Sequence, residues 1–190
     1  MRDILVTAIV LIGLVLAFKR PHFGIYLWSW LSYMNPHKQT WGFAYSMPFA
    51  LITAVVTIFS YLFSREPKRM IWSPEIVLLL VFIVWMFIST IFALYPELAW
   101  AQWDKVWKIQ MMTIMTLLLL TSRDRLHVFV WVTTLSIGYY GVKGGMFTLA
   151  TGGSYRVWGP EGTFIGGNNE IALALVMIIP LFRYLQLQET

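Results

Sequence analysis

Seven apolar runs, at residues 4–18, 23–34, 47–63, 76–95, 106–121, 128–142 and 171–187, take up most of this 190-residue chain. A helix needs about 20 apolar residues to cross a hydrocarbon core of roughly 30 Å. The fourth, fifth and seventh runs read as spans on that criterion. The first two are short, and Lys19-Arg20-Pro21 stands between them. Fifteen residues at 1.5 Å each reach only about 22 Å. They read as two thin helices, a re-entrant pair, or one broken unit inside a bundle.

Composition closes off the other ways to accommodate so much apolar sequence. Charged residues are 12% of the chain and hydrophobic residues 58%, whereas a soluble domain carries about 25% charge. Ten Trp, thirteen Phe and nine Tyr are more apolar surface than a globule of this size can bury. Disorder and a soluble enzyme are excluded. With no cysteine, disulfide scaffolds, thiolate metal sites and Cys nucleophiles are excluded too, and no metal or cofactor is expected. The expected fold is all-α: a polytopic integral membrane helical bundle of six or seven transmembrane helices, one membrane domain over 1–190. The N-terminal run has no small-residue cleavage site after it, so it reads as a retained helix rather than a signal peptide.

The net charge of +5 would suggest nucleic acid in a soluble protein. Here the basic residues sit between apolar runs, where lipid headgroups and the membrane potential account for them, and no nucleic-acid partner is expected. Arg65-Glu66-Pro67-Lys68-Arg69 and Ser122-Arg123-Asp124-Arg125 mark breaks, and the positive-inside preference puts both on the cytoplasmic side. Lys19, Arg20 and Arg183 join them inside. Arg2, Lys38, Lys105, Lys108, Lys143 and Arg156 fall outside, facing the periplasm in a Gram-negative cell. So many outer cations need a reason other than topology.

Two outer segments are more than connectors. In the stretch 96–108, Trp100, Trp103 and Trp107 recur at i, i+3, i+7, which puts three indoles on one helical face. Asp104 and Lys108 form an i,i+4 pair. The segment reads as an interfacial helix, either a plain aromatic anchor or a platform beside a lipid substrate. The second segment, 144–169, carries Gly152, Gly153, Gly159, Gly162, Gly166 and Gly167 together with Arg156 and follows Lys143. Glycine-rich backbone leading into a helix N-terminus offers N–H groups and a positive dipole to phosphate or diphosphate; the plain reading is a periplasmic glycine-rich loop and nothing more.

Further residues of that segment carry a resemblance. Arg156-Val-Trp-Gly-Pro-Glu-Gly-Thr163-Phe164-Ile-Gly-Gly167-Asn168-Asn169-Glu-Ile-Ala172, running on to Pro180, is similar to a signature of the O-antigen ligase and polymerase superfamily. Trp28-Ser-Trp30, Tyr33-Met34-Asn35-Pro36-His37 and Thr40-Trp41-Gly42-Phe43-Ala44-Tyr45 resemble more particularly the N-terminal half of O-glycosylation ligases associated with the exosortase A system. The resemblance implies an inner-membrane, metal-independent inverting glycosyltransferase. Such an enzyme moves a glycan from undecaprenyl diphosphate to a protein or polysaccharide acceptor on the periplasmic side, with exosortase-system proteins as further partners. It implies Arg156 as a diphosphate contact, with Asn168 and Asn169 shaping the adjoining turn. Lys143 and Lys38 are outer cations outside the motif.

Cations must stabilise the diphosphate leaving group, and a base must activate the acceptor hydroxyl. In such ligases a large outer loop of the second half supplies a catalytic His. The histidines here are His22, His37 and His127, and none matches that position. His37 reads either as a substrate contact or as a turn stabiliser, and His22 and His127 as interfacial residues. Glu170 and Glu75 suit helix N-termini. Glu161 and Asp104 are outer carboxylates that no spacing connects. Pro180 is expected to kink the last span. The lack of a convincing base keeps a non-catalytic alternative open: an accessory membrane protein that binds polyprenyl-linked glycans or scaffolds exopolysaccharide machinery. No charge pair within the spans marks an ion path, which argues against a transporter.

Overall fold

The computed structural model describes residues 1–68 and 72–188. Arg69, counted above among the inner cations, lies outside the described residues. The described residues form seven α-helices and no strand: α1 (Arg2–Lys19), α2 (His22–Tyr33), α3 (Phe49–Phe63), α4 (Pro74–Ile91), α5 (Pro96–Leu119), α6 (Arg123–Thr151) and α7 (Asn168–Gln188). The all-α expectation holds. Two helices are long and apolar enough to cross a membrane, α4 with a mean hydropathy of 2.3 and α7 with 1.7. The chain divides into two compact units, one of residues 1–64 with 122–190 and one of residues 65–121.

In the first unit α2 packs against α1, α3 and α6; α1 also meets α3, and α6 meets α7. Pro21, which has no N–H to continue the ladder of α1, stands at the cap of α2 and separates the two helices. Val6 and Val10 of α1, Leu27 and Leu31 of α2, Ala44 and Phe49 form one core; Ile137, Ala174 and Ile178 form another between α6 and α7. Helix α3 lies so close to α2 that a Cβ on Gly24 would sit 2.0 Å from the Thr57 hydroxyl oxygen. Buried threonines are tolerated there because each hydroxyl donates back along its helix, Thr53 to the Phe49 carbonyl at 2.8 Å and Thr57 to the Thr53 carbonyl at 2.6 Å. Such back-bonding removes the cost of an unpaired hydroxyl in an apolar interior.

The bounds of the sixth helix differ from the sequence expectation. The sixth run, expected at 128–142, belongs to a 29-residue helix that absorbs Gly144 and Gly145. Glycine costs about 1 kcal/mol in a helix, but Gly144 faces Val157 so closely that a Cβ would lie 2.8 Å from its Cγ1. Packing of the returning chain offsets the propensity. The helix ends at Gly152, in the left-handed conformation with φ 61°, the usual glycine stop. Helix α7 runs without interruption through Pro180.

In the second unit α4 packs against α5, and each begins with proline at its first turn, where the missing N–H costs nothing. No residue of α4 is buried. The stretch 96–108, read as an interfacial helix, is helical but not a helix of its own. It is the first half of α5, because nothing between residues 96 and 119 interrupts the hydrogen-bond ladder.

Candidate functional site

Four segments of the first unit, distant in sequence, are drawn together at one end. The turn after α2 is set by Asn35, which adopts φ 47°, a conformation short polar side chains tolerate. Its amide also donates to the Ser32 carbonyl at 2.7 Å. Pro36–Gln39 then form a short 3-10 turn that carries Lys38 and Gln39. Asp3, in the first turn of α1, accepts from the backbone N–H groups of Gly42 at 3.1 Å and Ala44 at 3.2 Å. That double contact fixes the loop bearing Trp41 to the N-terminus of α1, next to Arg2.

Gln39 fastens the turn to α6. Its amide donates to the Met34 carbonyl at 3.3 Å and to the Tyr140 hydroxyl at 3.2 Å, and its carbonyl accepts from the Tyr139 hydroxyl at 3.0 Å. The Tyr140 hydroxyl in turn donates to the Met34 carbonyl. The fourth segment returns from Gly152 towards α7 and closes on itself: the Gly159 N–H reaches the Gly166 carbonyl at 3.0 Å, and the Gly166 N–H the Thr163 carbonyl at 3.2 Å. A Cβ on Gly159 would lie 1.7 Å from the Ile165 carbonyl oxygen, so only glycine fits.

These segments enclose a cavity of about 620 Å³ whose wall includes Arg2, Lys38, Lys143 and Arg156. No carboxylate and no histidine lines it, and among the described residues none of the four cations forms an ion pair. Lys38 lies 4.2 Å from the centre of the Tyr45 ring, a cation–π contact that steers it without neutralising it. Trp41, 90% exposed, and Trp158, 64% exposed, form part of the rim. Four like charges with no internal partner raise each other's energy, and an anion relieves that. A second cavity of about 360 Å³ shares Tyr140, Gly144, Arg156 and Val157 with the first and reaches Asn168 at the start of α7. Arg156 therefore borders both.

Residues 1–190 match the profile of DUF5935, a family of unknown function. The chain belongs to that family. No curated protein and no solved structure matches it.

Of the expected binding residues, Arg156 and Lys143 share the larger cavity, and Asn168 lines the smaller. Asn169 lines neither. His37 is buried against Phe49, with ring centroids 6.1 Å apart, and does not reach the cavity. It is a packing residue of the turn, and burial, with Lys38 adding to it, holds its pKa below the ordinary value of 6.5. Of the glycine amides expected as a bare cradle, the N–H groups of Gly152, Gly153, Gly159 and Gly166 are spent on carbonyls nearby in the chain. Arg2, Gln39, Tyr139 and Tyr140 were not legible as site residues. The only signal for Arg2 and Lys38 was the surplus of cations expected on one side.

The Trp residues of α5 belong to the other unit. Trp100 and Trp103 pack on Phe87 of α4, at 6.2 and 5.3 Å between ring centres. Trp107 donates to Asp104 at 3.3 Å, and Lys108 pairs with Asp104 at 2.6 Å. Among the described residues no cluster of His, Asp or Glu could hold a metal ion.

Proposed function

We propose that this chain is the lipid-linked-glycan-binding portion of an O-glycosylation ligase-like glycosyltransferase in a bacterial inner membrane, and that the four-cation cavity takes the diphosphate of an undecaprenyl-diphosphate-linked glycan. The convergence of Arg2, Lys38, Lys143 and Arg156 on one cavity without a carboxylate is the observation that carries it. In glycan transfer the anomeric carbon–oxygen bond to the diphosphate breaks, and the diphosphate leaves with the bonding electrons. Fixed cations are worth most where that charge develops. The acceptor oxygen attacks the anomeric carbon and gives its proton to a base.

A multi-pass bundle of six or seven spans, with the cavity on the periplasmic side, accompanies this reading. Helix α6 supports it: Arg125, whose carbonyl accepts from the Tyr26 hydroxyl, and Lys143 stand 18 residues apart on one helix, about 27 Å along its axis. That is close to the roughly 30 Å of hydrocarbon between two headgroup layers. Near the start of α6, Arg123 donates to Gln188 at the far end of α7 at 2.8 Å.

The test is Arg156→Ala in the intact enzyme, which is expected to abolish glycan transfer while membrane insertion is retained; retained transfer removes Arg156 as a diphosphate ligand. The sidedness is checked separately. With no cysteine in the chain, single cysteines at Gly153 and Ser122 report directly to an impermeant maleimide. Labelling is expected at Gly153 from outside and at Ser122 only after lysis.

A second reading is a non-catalytic accessory protein that binds the same lipid. It is favoured by the absence of any carboxylate or histidine from the cavity wall, which leaves the acceptor proton no base there. Glycan transfer by this chain alone, purified and supplied with donor and acceptor, would exclude it.

A further inference from the structure

Beside the cationic cavity lies a groove of the opposite character, of about 590 Å³, between α1, α2 and α6. Ile9, Ile12, Leu16, Trp30 and Leu135 line it, and Tyr139 is common to its wall and the cavity's. Its polar atoms are already paired. The Tyr26 hydroxyl donates to the Arg125 carbonyl at 3.0 Å and the Trp30 indole to the Met34 sulfur at 3.0 Å. The Ser136 hydroxyl donates to the Val132 carbonyl at 2.6 Å and the Tyr139 hydroxyl to Gln39 at 3.0 Å. A wall with no hydrogen bond left to offer favours a ligand that asks for none, namely hydrocarbon. Gly13 keeps the floor low, since a Cβ there would lie 2.8 Å from a Leu27 methyl.

We infer that the groove between α1, α2 and α6 seats the hydrocarbon tail of the same lipid whose diphosphate enters the cationic cavity, Tyr139 marking the junction of head and tail. The inference rests on the proposed diphosphate reading and adds the path of the chain. The two sites make one amphipathic surface: four cations on one side of Tyr139 and saturated apolar wall on the other. An anionic lipid with a long apolar chain satisfies both at once; a bulk phospholipid lying in the groove alone would leave the cations unanswered.

The test uses the full chain in nanodiscs with a farnesyl diphosphate carrying a photoreactive group at the far end of its tail. Crosslinks are expected at Ile9, Ile12 or Leu135, and excess inorganic diphosphate should suppress them, because displacing the head releases the tail. Ile12→Trp and Leu135→Trp, both at exposed positions, should fill the groove and weaken farnesyl diphosphate labelling about tenfold, the effect of losing about two buried methylenes. Crosslinks elsewhere, or groove crosslinks that diphosphate does not suppress, overturn the tail assignment and mark the groove as ordinary lipid-facing surface. Inorganic diphosphate binding to the wild-type protein is titrated in parallel. If it is absent, the cavity reading itself fails, and the tail assignment with it.

Discussion

Replacing Arg156 by alanine should weaken diphosphate binding by an amount that can be set beforehand. The guanidinium borders both cavities of the first unit, and a hydrogen bond to a charged group contributes about 1.5–3 kcal/mol. Arg156 is exposed, and solvent screening lowers such a contribution, so about 1–2 kcal/mol is expected. At 1.4 kcal/mol per tenfold, the loss is about 5- to 30-fold in Kd. Calorimetric titration of the purified protein with inorganic diphosphate, without divalent metal, reads it directly. Arg156→Lys keeps the charge but loses the planar fork, and should fall between wild type and Arg156→Ala. Salt offers an independent check: the screening length shrinks from about 10 Å at 0.1 M to about 3 Å at 1 M, so wild-type affinity should drop with salt and the alanine variant should drop less. Lys105→Ala removes an equal charge from α5, outside the cavity, and should change neither quantity. Equal affinities for wild type and Arg156→Ala, or an equal loss in Lys105→Ala, would refute the reasoning.

Three further expectations concern the scaffold. Gly24→Ala puts a methyl 2.0 Å from the Thr57 hydroxyl oxygen and should cost about 1–3 kcal/mol, read as a lower melting temperature in detergent; adding Thr57→Ala should restore part of it, and strictly additive losses would contradict the contact. Gly159→Ala cannot fit beside the Ile165 carbonyl; it should expose the 159–166 turn to limited proteolysis and weaken diphosphate binding without unfolding the helices. His37 is held below its ordinary pKa of 6.5 by burial and by Lys38. The unfolded chain therefore takes up a proton there before the folded one does, so this residue's contribution is intact above about 6.5 and is lost as pH falls below it. Melting curves at about pH 7.5 and 5.5 should diverge more for wild type than for His37→Gln.

The helical class could be read from the chain because seven apolar runs separated by charged or proline-bearing breaks leave backbone polar groups no other way to pair in an apolar setting. The cavity could be read only in part. Lys143 and Arg156 stand 13 residues apart, and their cluster with glycine is visible as composition. Their meeting with Arg2 and Lys38 depends on contacts across about 100 residues or more, such as Gln39 with Tyr139 and Tyr140, for which no local period exists. Residue type could not tell which amides of the glycine segment stay free: the turn uses those of Gly159 and Gly166 to hold its own shape. Of the stripe Trp100, Trp103 and Trp107, the first two pack on Phe87 while Trp107 donates to Asp104; Phe87 lies on another helix and could not be seen from the period alone.

Native mass spectrometry of the chain, gently extracted in detergent from the cells that make it, tests the central claim most directly. A retained adduct with the mass of a polyprenyl diphosphate lipid is expected, and it should vanish when Arg2, Lys38, Lys143 and Arg156 are all replaced by alanine. Adducts of bulk phospholipid alone, held equally by wild type and the fourfold variant, would contradict it.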